Sequence, residues 1–138
     1  MMRRKKEPAF PFIHDELFES ILASRVRTHP MFGCHAVYID EKIVFILRNK
    51  HEAKTLRDDG LWVAMMPEHR ESLRLDYPAL RPIEMFAARG REGFGGWLNL
   101  PASEDGFEET ALALCRLVIQ GDPRIGKIPK ARGKRRRK

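Results

Sequence analysis

Residues 31–48, MFGCHAVYIDEKIVFILR, constrain this chain more tightly than any other stretch. Two runs rich in β-branched and aromatic residues flank the charged pair Asp40-Glu41, a connection of hairpin length. In the first run Cys34, Ala36 and Tyr38 alternate with His35, Val37 and Ile39. In the second, Ile43, Phe45 and Leu47 alternate with Val44, Ile46 and Arg48. Both faces are apolar at mid-strand, which suits a central pair rather than one with a fully wet side. The remaining segments must pack on this hairpin or pair with it.

Taken in order, the flanking segments supply those partners. Asp15 is a good N-cap for a helix over 15–26, with Leu17, Phe18, Ile21, Leu22 and Val26 at helical spacing and Pro30 as a stop. Residues 49–60 form a polar insert with one helical turn over 52–57. A third strand follows over 61–66, then a short helix over 68–76 behind Pro67. Two more strands are predicted over 83–86 and 97–100, joined by a glycine-rich loop over 87–96. Asp105 and Glu108 have capping-box spacing before a last helix that starts at Phe107 and is stopped by Gly121 and Pro123. The expected order is α-β-β-β-α-β-β-α. The fold class is α+β: a two-layer antiparallel sheet with helices on one face.

Charge divides the chain more sharply than hydropathy does. The net charge of +7 hides nine Lys or Arg and no acid in residues 123–138, and a net +3 in residues 1–7. Residues 8–122 therefore carry 7 − 9 − 3 = −5. The expected organisation is a basic leader over 1–13, one α+β domain over 14–122, and a disordered basic tail over 123–138. Residues 8–13 are broken by two prolines, and no run approaches the length of a membrane span, so the expectation is a cytoplasmic protein that does not enter a membrane. Cys34 and Cys115 lie far apart, in apolar contexts that suit reduced, buried thiols.

Catalytic signatures are weak throughout. The histidines His14, His29, His35, His51 and His69 show no metal spacing, and adjacent Cys34 and His35 diverge on a strand. Glu71 stands three residues before Arg74, close enough to pair, and with Glu68 and Asp76 it reads as a solvated helix face. Trp62 and Trp97 sit at sheet positions that favour core packing over base stacking. No catalytic residue, metal ligand or cofactor is assigned. The alternative reading is a small-ligand or phosphate-binding domain, open to an enzymatic role, that uses the loop over 89–96 with Arg81, Arg89, Arg91 and Trp97 around it.

The hairpin, with Met31-Phe32-Gly33 ahead of it and Lys42 at its charged tip, has further anchors. They are Leu61-Trp62-Val63, Arg81 in the turn over 78–82, Gly96-Trp97 and the last helix. Together these resemble the TfoX N-terminal domain family of bacterial competence regulators, over residues 17–120. The insert at 49–60, the loop at 89–96 and the basic tail depart from that pattern. The resemblance implies a sheet backed by helices and a regulatory or interaction module without enzymatic chemistry.

The tail is the strongest functional signal. Arg124, Lys127, Lys130, Arg132, Lys134, Arg135, Arg136, Arg137 and Lys138 repel one another, and sixteen extended residues reach about 50 Å. Such an arm binds DNA or RNA by releasing counterions, with no sequence readout. A protein partner at an open sheet edge is the other interaction expected of this architecture.

Overall fold

The structure, a computed structural model, describes residues 9–21, 23–88 and 96–128. Five strands form one antiparallel sheet in sequential order. They are β1 (Val26–Met31), β2 (Cys34–Ile39), β3 (Lys42–Arg48), β4 (Gly60–Ala64) and β5 (Trp97–Pro101). The described helices are α1 (Pro11–Ser20), α2 (Arg70–Asp76), α3 (Glu84–Ala88) and α4 (Phe107–Ile119). The α+β class holds, with the 34–48 hairpin at mid-sheet.

Alternation along the strands separates two apolar clusters. Val37 and Ile39 of β2, Phe45 and Leu47 of β3, Leu61 and Val63 of β4, and Leu98 and Leu100 of β5 face α1 and α4. Ile13 and Leu17 of α1, Leu73 of α2, and Ala111, Leu114 and Cys115 of α4 close this main core, all fully buried. The reverse face carries a smaller cluster of Cys34, Ala36, Ile46, Trp62 and Ala64, covered by Ile83 and by Met85 and Phe86 of α3. A register shift between Val37 and Tyr38 leaves Val44 unpaired, so Val44 enters the main core and Ile43 joins the reverse cluster.

Three segments differ from the sequence reading. The first helix begins at Pro11, whose fixed φ suits an initial helical position, and not at Asp15. It ends before Ile21, and Val26 opens an edge strand that tolerates Pro30 because the outer edge needs no donor there. Phe32 and Gly33, both at positive φ, join this strand to β2 in a two-residue turn of type I′. The predicted strand over 83–86 is instead the start of α3, because the Asp58 carboxylate accepts the Glu84 and Met85 N–H groups at 2.7 and 3.0 Å. The order is thus α-β-β-β-β-α-α-β-α. At α4 no capping box forms: Gly106, at φ 74, holds the N-cap position without a side-chain hydrogen bond.

Both boundaries of the domain also move outward. Ile13, assigned to the leader, is fully buried, and Phe10 and Phe12 pack their rings on Phe107. At the other end, Ile125 is 2% exposed within the main core. The backbone of Lys127 exchanges two hydrogen bonds with Ile43, at 2.9 and 3.0 Å, and Gly126 N–H donates to the Ala64 carbonyl at 2.7 Å. Residues 123–128 thus belong to the fold. They take the place beside β3 that β4 vacates after Ala64.

Candidate nucleic-acid interface

Two of the nine tail cations are used by the fold. The Arg124 guanidinium donates to Asp122 at 3.2 Å, and to Ser72 and Asp76 at 2.8 Å. The hydrogen bonds to Asp122, then to Asp76, raise its pKa further, and the same bond holds the Asp122 carboxyl below the usual carboxylate range. The Lys127 ammonium lies 4.9 Å from the centre of the Trp97 ring, a cation–π contact. Burial pushes its pKa below the usual lysine range. Gly126, at φ 110, passes so close to β3 that a Cβ would press on Lys42 and Val44 at 3.1 and 3.3 Å. Arg124 and Lys127 therefore anchor the root of the arm. Lys130, Arg132, Lys134, Arg135, Arg136, Arg137 and Lys138 lie outside the described residues.

The candidate ligand loop does not assemble among the described residues. The Arg81 backbone pairs with Asn99, but its guanidinium turns to Glu104, 3.4 Å away and beyond the far end of β5 from Trp97. Trp97 packs against Trp62 at 6.3 Å between ring centroids, and its carbonyl accepts from Arg70. Arg89 and Arg91 lie outside the described residues. Burial raises the Cys34 pKa and pushes that of Cys115 up to about 12, so both thiols stay protonated near neutrality. No group of three potential metal ligands occurs among the described residues, and no helix among them is long and apolar enough to cross a membrane.

Sequence reasoning passed over a buried polar cluster at the opposite end of β3. Arg48 and Asp59, whose side chains are each 4% exposed, pair at 2.7 Å. Arg48 also donates to the Thr55 carbonyl and hydroxyl at 3.1 and 2.9 Å. Asp59 accepts the N–H groups of Lys50 and His51 at 3.1 and 2.9 Å. Both terminal nitrogens of Arg48 and both carboxylate oxygens of Asp59 are matched, so the insert over 49–58 is clamped to the sheet. The available signal was a charged residue ending an apolar strand, with two adjacent aspartates following it. The clamp has a surface consequence: it holds Lys50 against the β1–β2 turn, where its ammonium lies 3.4 Å from the Phe32 carbonyl.

In the sequence Phe32 stands out only within the Met31-Phe32-Gly33 anchor. Its side chain is 89% exposed, the most exposed large hydrophobe described, and its φ of 51° is one that L-residues with bulky side chains rarely adopt.

Surface charge is uneven. The helical layer presents Asp15, Glu16 and Glu19 on α1, Glu71 and Asp76 on α2, Glu108 and Glu109 on α4, and Glu104 and Asp105 just before α4, against Arg70, Arg74 and Arg116 on the same helices. The insert beside the Phe32 turn carries Lys50, Lys54 and Arg57; Lys50 lies 3.8 Å from Glu52, Arg57 pairs with Glu84 at 3.1 Å, and Asp58 and Asp59 are buried and engaged. No protein family, no characterised protein and no solved structure matches the chain.

Proposed function

We propose that this protein is a non-enzymatic interaction module, similar to the TfoX N-terminal domain, whose basic C-terminal arm tethers it to nucleic acid through backbone phosphates. The observation that carries this reading is the charge layout. Seven Lys or Arg follow Ile128 with no acid among them, while the helical layer of the body is acidic. A polyanion is attracted by the arm and repelled by that layer, so binding is oriented as well as non-specific. The fold's use of Arg124 and Lys127 leaves seven cations, not nine, for phosphates.

The experiment compares the full chain with one ending at Ile128, binding a labelled duplex over a range of salt. Seven neutralised phosphates give a slope of log K against log salt of about −6 on duplex DNA. The shortened chain loses most of that slope. Equal binding by both forms, or none by the full chain at low salt, would end the proposal. A cut after Asp122 would be a poor comparison, because it also removes Ile125 from the core.

A further inference from the structure

The β1–β2 turn combines strain, exposure and charge in a way the fold does not use. A type I′ turn favours Asn-Gly, because both central residues need positive φ. Here the pair is Phe32-Gly33, at φ 51° and 81°. Phe32 is 89% exposed and takes part in neither apolar cluster, so the ring gains nothing from folding. Its backbone is nevertheless held firmly. Met31 and Cys34 pair across the turn, and Lys50 reaches from the clamped insert to the Phe32 carbonyl. The result is an aromatic ring presented to solvent at a braced turn, with the Lys50 ammonium at the Phe32 carbonyl, Lys54 in the same insert, and one exposed carboxylate of that insert, Glu52, 3.8 Å from Lys50.

We propose that Phe32 is a stacking platform for an unpaired nucleobase, with Lys50 placed to meet the adjoining phosphate. This rests on the nucleic-acid reading above and adds a preference to it: single strands over duplex. Aromatic faces stack every base, whereas a paired base has no free face to offer away from strand ends. Charge supports this occupant over an apolar protein surface, because the insert keeps a small positive excess, Lys50 and Lys54 against Glu52 with Arg57 paired to Glu84, while the helical layer, which a polyanion avoids, is acidic. Reach is adequate too. The arm leaves beside Ile43 on the β4 side of β3, and the Phe32 turn lies past the level of Arg48, about 17 Å along β3 and roughly 12 Å across the sheet. Ten residues follow Ile128 and span at most about 33 Å. One short single strand can therefore touch both.

The test uses the full chain and measures anisotropy of a labelled oligothymidylate and of a duplex of equal length, at low salt. Phe32→Ala should weaken single-strand binding by at least about fivefold and leave duplex binding unchanged. Phe32→Trp should restore it, with quenching of the new indole on binding. The chain ending at Ile128 should weaken both ligands. Single-strand binding by Phe32→Ala at the wild-type level would overturn the platform while leaving the tether intact. Binding of neither ligand by the wild type would overturn both. A change in sedimentation on Phe32→Ala, with single-strand binding unaltered, would assign the ring to self-association and also overturn the platform. Thermal unfolding of each variant guards against misfolding. Phe32→Asn provides a second variant, expected to raise the unfolding midpoint while losing single-strand preference.

Discussion

Strand β2 is entered and left through two tight turns, and each puts a non-glycine residue at positive φ. Phe32 stands at 51° before the strand and Asp40 at 55° after it. Asp40 is among the residues that tolerate this conformation, and the fold uses its side chain. Arg25 donates to its carboxylate at 2.8 and 3.1 Å, Arg27 donates to its carbonyl, and the Arg25 hydrogen bond holds its pKa below the usual range. Phe32 carries the greater strain and its side chain is tied to nothing in either core. The contrast extends along the sheet. At the Asp40 end, Arg25 and Arg27 tie down the turn and residues 123–128 dock beside Ile43. At the Phe32 end Lys50 lies near Glu52 and Arg57 pairs with Glu84, while the buried Arg48–Asp59 pair braces a turn whose aromatic ring stays exposed.

The largest expected effect tests that brace. Arg48→Met leaves Asp59 buried without its partner and should cost about 3–5 kcal/mol, read from urea unfolding. A loss below about 1 kcal/mol would mean that the Phe32 end is not supported from beneath. Next comes the docked segment at the other end. Ile125→Ala should cost about 2–5 kcal/mol, whereas ending the chain at Ile128 should change stability by no more than about 0.5 kcal/mol. Similar losses from both would return residues 123–128 to the arm.

Smaller effects separate the two turns directly. Phe32→Asn should stabilise by about 1 kcal/mol by relieving left-handed strain. Asp40→Ala, at the equivalent place in the other turn, should lower the unfolding midpoint. Equal signs would erase the comparison. The smallest effect is in pH. Asp40 and Asp122 have pKa values depressed in the folded state by Arg25 and Arg124, so their stabilisation is full above the ordinary value of 3.8 and is lost as pH falls through the folded values. Amide protection, corrected for the intrinsic exchange rate at each pH, should fall on acidification at the Asp40 turn and in residues 123–128 before it does at the Phe32 turn.

Several elements were legible because periodicity and punctuation agreed. The hairpin over 34–48, the strand after Gly60, the short helix behind Pro67, the strand ending at Pro101 and the helix from Phe107 all sit where sequence places them. The failures have particular causes. Pro30 ends a helix and is equally at home on an edge strand, so it could not arbitrate between the two. The run Ile83-Glu84-Met85-Phe86 is too short for periodicity to distinguish strand from helix, and the deciding group, Asp58, lies 26 residues away. Ile125 is one apolar residue in a basic run, and only a vacant place beside Ile43 makes it core.

By itself the sequence determined the α+β class, the central hairpin and the separation of an acidic body from basic ends. These follow from local spacing and composition, which each segment carries with it. The tertiary structure alone decided that Arg124 and Lys127 belong to the fold, that Arg81 turns away from Trp97, and that Phe32 stays exposed while Lys50 meets its carbonyl. Those outcomes depend on which distant backbone groups and carboxylates are left unpaired once the sheet has formed, a property of the assembled chain and of no single segment.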